Sequence, residues 1–361
     1  MSSSNNIKRC SRCGLGENTH GINLNSKDLC NYCSDWIPKE NKVNFNTVDA
    51  ANIIQNLVKS QYSQVTTNGK RPKHDVIVLY SGGKDSTYML ARLKRDIGLR
   101  PLAVTVDNWF LSSKSMEKQT EVLGALGVDH ITIRPSLDSI LELFKISANK
   151  VNEKEFEKFY SKYGIFCWPC FSLIYSSVCS LAKNSGIRLI AGGWSPGQIN
   201  AGKHTSRNDG LISFSEVIKI YVEPFHQMIL KVGSNSEIDL PVPQDGEGIS
   251  LLPFFNYWPY DEAEIIKYIT DEFNWDKPKD TDGCSSNCLI NLLDRIIYRK
   301  RFGFDRYELQ LANMVRSGHL TRQAVLDIAN ERLDADSVKK IAYDLELDKI
   351  ISTQGSESNV C

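Results

Sequence analysis

The 361-residue sequence has no excess of charge of either sign, with 43 Lys and Arg set against 43 Asp and Glu. That balance withholds the general attraction to phosphodiester backbones that a dedicated nucleic-acid binder carries. Nucleic acid is therefore an unexpected partner, although a local basic patch stays open. No apolar run is long enough to cross a bilayer, and the opening MSSSNNIKRC has no apolar stretch of the kind a secretory signal needs. The expectation is a cytoplasmic chain with no membrane span. No internal repeat is visible, and composition is that of an ordinary globular protein.

Cysteine is present in quantity, at ten residues. In a chain without an export signal, thiols point to metal or thiol chemistry rather than to a disulfide framework. Cys10, Cys13, Cys30 and Cys33 form two C-x-x-C knuckles separated by sixteen residues. Each knuckle can give two thiolates to a tetrahedral Zn²⁺, which closes a small structural ribbon whose folding depends on the metal. A stretch this short and polar has no core of its own in which to hide four cysteines.

Behind the ribbon, NTVDAANIIQNLVKSQYSQ has helical periodicity after an N-cap candidate at Asn46 or Thr47, and TTNGKRPKHD follows as a polar loop. From residue 74 the pattern alternates. DVIVLY, PLAVTVDN, DHITIRP and IRLIAGG read as strands, separated by amphipathic helices such as DSTYMLARLKRDI and SMEKQTEVLGALG. The fold class expected is α/β, a doubly wound parallel sheet with ligands at the carboxyl ends of its strands. The boundaries read from composition are a ribbon at 1–36, a connecting helix and linker at 37–73, the ATP-binding α/β domain at 74–235, a mostly helical region at 236–350 and a disordered tail at 351–361.

The stretch VIVLYSGGKDSTYMLARLK asks why two glycines, a lysine, an acid and two hydroxyls follow buried-looking aliphatics. Ser81, Gly82 and Gly83 turn strand into helix, and glycine lets backbone N–H groups approach an anion. The helix N-terminus beginning near Asp85 and Ser86 adds partial positive charge, Lys84 a full charge and Ser86 a hydroxyl. The segment reads as a pyrophosphate cradle. It lacks the spacing of a Walker A loop, so transfer of a γ-phosphoryl group is not the natural inference.

SGGKDS resembles the PP-loop of the ATP pyrophosphatase (adenine nucleotide alpha hydrolase-like) superfamily. The order of motifs resembles one branch in particular, the N-acetyl sugar amidotransferases of surface-polysaccharide biosynthesis: CSRC…LCNYC, the PP-loop, CWPC, then TDGCSSNCLINLL…RFGF…VRSGHLTRQAVLDI. The resemblance implies that Ser81, Gly82, Gly83, Lys84, Asp85 and Ser86 hold the ATP phosphates with Mg²⁺, with Lys84, Asp85 and Ser86 serving catalysis. It places Asp107, at the end of a strand, where such folds form the adenosine site. That acid is equally suited to capping the following segment. Gly192 and Gly193 in AGGW would allow backbone to approach the nucleotide or simply make a turn.

In this chemistry AMP is transferred to a poor oxygen leaving group, which then departs as nitrogen or sulfur arrives. The expected acceptor is an N-acetyl sugar or sugar nucleotide, with ammonia supplied by a separate glutaminase subunit. Cys167, Cys170, Cys284 and Cys288 leave several readings open. C-x-x-C plus a distant cysteine resembles the three-cysteine [4Fe-4S] site of the tRNA-thiolating branch, while four thiolates suit a second zinc. A redox dithiol or plain packing are the remaining alternatives. A sulfurtransferase and a non-enzymatic nucleotide-binding regulator are accordingly the competing functions.

Overall fold

The structure, a computed structural model, describes residues 7–36, 46–63, 72–198, 210–232 and 245–347. The polar loop expected at 66–75 and the disordered tail expected at 351–361 lie wholly or largely outside them, as do Lys203, His204 and Arg207. Contacts divide the chain into two units. One joins Met1–Lys42, Ile140–Pro169 and Ile290–Cys361, and the other joins Val43–Ser139 and Cys170–Leu289.

The second unit is built on six strands: β1 (Val76–Leu79), β2 (Pro101–Val106), β3 (Asp129–Ile133), β4 (Leu189–Gly192), β5 (Ile212–Ser213) and β6 (Ser250–Pro253). Their order is β3-β2-β1-β4-β6-β5, parallel except for the antiparallel β5–β6 pair. The chain therefore has the expected α/β fold with a mostly parallel sheet. Side chains alternate across β1: Val76 and Val78 enter one apolar cluster and Ile77 another. The first cluster takes in helices Thr47–Ser63, Lys84–Arg95, Ser113–Leu126 and Glu262–Phe273. The second takes in Tyr175, Val178 and Ala182 of helix Cys167–Ser185 together with Phe214, Val217 and Ile218. Apolar burial on both faces is what makes these strands read as continuous aliphatic runs.

Helix ends follow local chemistry. Asn46 Oδ1 accepts from Asp49 N at 2.9 Å, which settles the N-cap in favour of Asn46. Ser112 caps Ser113–Leu126, and Gly127 ends it at φ +58°. Between Phe214–Val217 and Glu223–Val232 the helix widens to a π-turn at Ile218–Val222. Pro224 explains this locally, since its ring has no N–H to donate and crowds the carbonyl four residues back.

The sheet does not close near residue 235, as the composition suggested. β6 lies beyond that point and pairs with β4 through Leu189↔Ser250 to Gly192↔Pro253. SLLP was not read as a strand because it is short and follows a loop-like stretch.

In the first unit, the ribbon shares one apolar cluster with the carboxyl-terminal helices. Leu15 and the four ribbon cysteines pack with Ala312 and Val325, flanked by Leu309, Leu311 and Val315. Some thirty residues cannot bury a core alone, so helices Arg306–Arg316 and Arg322–Asn330 complete it. Beneath them runs a buried ionic network. Asp305, 1% exposed, accepts from Arg295 Nε at 3.0 Å and Arg299 Nε at 2.8 Å, and closes a capping box with Glu308. Arg295 also pairs with Glu331. Among the described residues no single helix is long and apolar enough to cross a membrane.

Removing the Asp305 carboxylate leaves buried guanidinium uncompensated and deletes a helix cap. Asp305→Ala is expected to destabilise this unit by about 3–5 kcal/mol. Urea unfolding of wild type and variant checks it, and a loss below about 1 kcal/mol contradicts the network.

Candidate functional site

β1 ends at Leu79, and the chain turns through Tyr80, Ser81 and Gly82 into the helix that begins at Lys84. Gly82 has φ +75°, and a Cβ there would fall 2.5 Å from Gln119 Cγ. Both conformation and space demand glycine. Gly83 is the N-cap in extended conformation, and a Cβ on it would lie 2.7 Å from Ser286 Oγ. The carbonyls of the turn are drawn into the protein, as Gln119 Nε2 donates to Ser81 O at 2.9 Å and Trp275 Nε1 to Gly82 O at 3.0 Å.

Ser86 closes the loop from within. Its hydroxyl donates to Gly83 O at 3.1 Å, lies 3.2 Å from Ser81 Oγ, and accepts from Ser81 N at 3.3 Å. The first intrahelical bond, Thr87 N to Gly83 O at 3.0 Å, leaves the amides before it at a helix N-terminus of positive potential. The result is a glycine-lined cradle at the carboxyl end of the central strands.

Lys84 Nζ lies 2.8 and 2.9 Å from the two Asp85 oxygens, 3.1 Å from Tyr260 Oη and 3.4 Å from Glu262 Oε1. Burial alone would lower the Lys84 pKa, but Asp85, Tyr260 and Glu262 more than offset it and raise it, so the ammonium stays charged. Burial pushes Asp85 above the ordinary carboxylate value, against the pull of Lys84. The sequence gave no sign of Tyr260, Glu262, Gln119, Trp275 or Ser286. Their residues read as ordinary helix or loop, and no spacing ties them to SGGKDS.

At the end of β2, Asp107 is 2% exposed, and both carboxylate oxygens face protein donors. Trp109 N donates to Oδ1 at 2.8 Å, and Arg134 Nε to Oδ2 at 2.8 Å. This is the capping geometry. Gly192 and Gly193 serve close packing: a Cβ on the first would enter the Trp194 ring, and one on the second would meet Asp85 O at 3.1 Å.

Three further cysteines gather around the same strand ends. Asn108 Nδ2 lies 3.2 Å from Cys170 Sγ. Cys288 bridges to Leu111, with Ser112 N donating to Asn287 O at 2.9 Å and Leu289 N to Phe110 O at 2.8 Å. Cys284 begins the turn before them, its N–H bonded to Asp282 Oδ1 at 3.0 Å. Ser286, between these two cysteines, is the residue that crowds Gly83. Cys167 opens helix Cys167–Ser185 and belongs to the other unit, within the electrostatic reach of the buried Arg306.

The ribbon cysteines form a distinct cage. All four sulfurs lie within 4.8 Å of one another, with Cys13 and Cys30 at 3.6 Å. Bonds of about 2.3 Å to a tetrahedral Zn²⁺ place sulfurs about 3.8 Å apart, so the set fits that ion. Cys10 Sγ also accepts from the Cys30 and Cys13 amides at 3.3 and 3.5 Å, a knuckle pattern suited to thiolate. Hydrogen bonds from Cys13 and Cys33 hold Cys30 far below its ordinary pKa, whereas the bond with Cys30 drives Cys13 up. All four are buried, so a metal here is closed to substrate.

No family model matches the chain. An uncharacterized protein of Methanocaldococcus jannaschii is 23% identical over 289 residues, spanning 80% of this chain and 83% of that protein. Among solved structures, NMN synthetase from Francisella tularensis is 12% identical, covering 85% of this chain and 96% of that one at a TM-score of 0.34. The U34-tRNA thiolase NcsA from Methanococcus maripaludis with its [4Fe-4S] cluster is 12% identical, with coverage of 100% and 91% and a TM-score of 0.33. The NH3-dependent NAD synthetase from Campylobacter jejuni is 11% identical, with coverage of 73% and 96% and a TM-score of 0.33.

The shared core of cage and helices carries a consequence for the metal. Cys10→Ser should lose one equivalent of zinc and loosen helices Arg306–Arg316 and Arg322–Asn330 along with the ribbon, since Arg322 Nε donates to Cys10 O at 3.0 Å and Val325 packs on Gly14. Metal analysis with hydrogen exchange reads both effects. Unchanged zinc content in the variant contradicts the cage.

Proposed function

We propose that the chain is an ATP-dependent enzyme of the PP-loop type that cleaves ATP between the α and β phosphates and transfers AMP to an oxygen of its acceptor. The observation that carries this reading is the Ser81–Ser86 loop. A turn that excludes any Cβ, with its carbonyls bound away and its amides at a helix N-terminus, has the form required to take a polyphosphate. On this reading Ser81, Gly82, Gly83, Lys84, Asp85 and Ser86 surround the phosphates. Lys84 and the loop amides offset charge developing on the departing pyrophosphate. Asp85 and Glu262, close to Lys84, give the neighbourhood enough negative charge that ATP would enter as its Mg²⁺ complex.

For the acceptor, the order of cage, phosphate loop, CWPC and DGCSSNC resembles the N-acetyl sugar amidotransferases. We therefore favour an N-acetyl sugar or sugar nucleotide whose adenylated oxygen is replaced by nitrogen, with ammonia coming from a glutaminase partner. The zinc of Cys10, Cys13, Cys30 and Cys33 is then structural.

A second reading, sulfur transfer, is favoured by the gathering of Cys170, Cys284 and Cys288 about the strand ends beside the phosphate loop. In it Cys167, Cys170 and Cys284 would hold a [4Fe-4S] cluster, with Cys288 as a further candidate ligand. The cluster would carry sulfur to the adenylated acceptor.

Phosphorus NMR of turnover mixtures is expected to give AMP and pyrophosphate, and ADP with phosphate would refute adenylation. Lys84→Ala should lower turnover about 100-fold, or about 3 kcal/mol, with little change in thermal stability. Anaerobically purified protein separates the two transfers: colourless zinc protein active with ammonia supports amidation, while brown protein that requires sulfide supports thiolation.

A further inference from the structure

Trp109 is held in a conformation that packing alone does not call for. Its φ of +69° is a region bulky residues avoid; the other described non-glycine residues with positive φ are Asp28, Asn274 and Glu346. Three interactions keep it there. Its backbone N–H is bonded to Asp107 Oδ1 at 2.8 Å, its indole Nε1 donates to Pro135 O at 2.7 Å, and the Arg134 guanidinium lies 4.9 Å from the ring centre. Arg134 is fixed in turn by Asp107. Strain maintained by several independent contacts marks a residue placed for use.

The same side chain is 44% exposed, so the contacts that strain the backbone do not bury the ring. A core role would bury it, and an ordinary surface residue would relax to negative φ. Asp107 and Arg134 directly follow β2 and β3, which puts the indole at the carboxyl end of the sheet, the end that carries Gly82 and Gly83 after β1. Its neighbour Asn108 touches Cys170. A rigid aromatic with a cation beside it, at the strand ends that also carry a phosphate cradle, suits a planar, electron-rich ring attached to phosphate.

We propose that Trp109, oriented by Asp107, Arg134 and Pro135, is a stacking platform for the base of a nucleotide ligand. The inference rests on the proposed ATP reading only for the source of that base, which is ATP or a nucleotide-linked acceptor. Stacking on an aromatic side chain tolerates any base, so both sources share this chemistry.

Titration calorimetry with α,β-methylene-ATP, inorganic tripolyphosphate and UDP, on wild type, Trp109→Phe and Trp109→Gly, tests it together with thermal unfolding. Trp109→Gly should weaken α,β-methylene-ATP about 10- to 100-fold, leave tripolyphosphate unchanged, and keep or raise the melting temperature because glycine accepts φ +69° without strain. Trp109→Phe should retain most of the affinity. Loss confined to UDP also supports the platform and assigns the base to the acceptor. Affinities for both nucleotides within twofold of wild type, or an equal loss of tripolyphosphate, would overturn it. Wild-type protein that takes neither tripolyphosphate nor α,β-methylene-ATP sinks the phosphate-loop reading instead, and the UDP arm then decides the platform by itself.

Discussion

The turn at Gly82 is the constraint on which the candidate site depends. It follows β1, which lies between β2 and β4 in the sheet, and it must reverse direction within three residues to start the helix at Lys84. The positive φ and the 2.5 Å approach to Gln119 leave no side chain that fits. Once the turn is made, its carbonyls require donors, and Gln119 and Trp275 supply them from two separate helical regions. The loop carrying Cys284 and Cys288 then comes close enough for Ser286 to exclude a side chain at Gly83. One backbone conformation thus fixes the places of several distant segments.

Position in the fold separates the two sets of cysteines more clearly than sequence could. The ribbon thiols are buried, point at one another, and share an apolar cluster with Ala312 and Val325. Such a site is a staple, and its energetic effect extends to whatever it packs against. Cys170, Cys284 and Cys288 are partly exposed and are distributed along strand ends, where the sheet brings ligands. Thiols in that setting are reachable by a reacting group, which is why they bear on the choice between nitrogen and sulfur transfer.

What was legible in the sequence was local. The four aliphatic strands, the glycine turn and the paired knuckles each declare themselves within a dozen residues, through periodicity, φ preference or ligand spacing. β6 escaped because four residues after a loop carry no period, and its place is set by pairing with β4. Tyr260, Glu262, Gln119 and Trp275 escaped because each acts on the turn through tertiary contact. Trp109 escaped for another reason: its significance lies in a backbone angle and an exposure, neither of which residue identity specifies. At Asp107 the sequence allowed a cap or a ligand contact, and only the presence of Arg134 across β3 distinguishes them.

Lys84 shows how a correctly noticed residue can still be misread in its setting. Sequence suggests an ammonium aimed at an incoming anion, yet the structure ties it to Asp85, Glu262 and Tyr260. An anion can recruit this charge only by competing with two carboxylates. A singly charged ligand offers no more than either acid already does, whereas a polyphosphate presents several charges at once and can draw on the loop amides and helix N-terminus as well. Prior engagement of the lysine therefore discriminates by charge number. Because the acids stay nearby, the lysine need not be desolvated alone when no ligand is bound, which avoids the cost of an isolated buried cation. The acidic neighbours that seem to oppose phosphate binding thus make the site tolerable when empty and selective when filled.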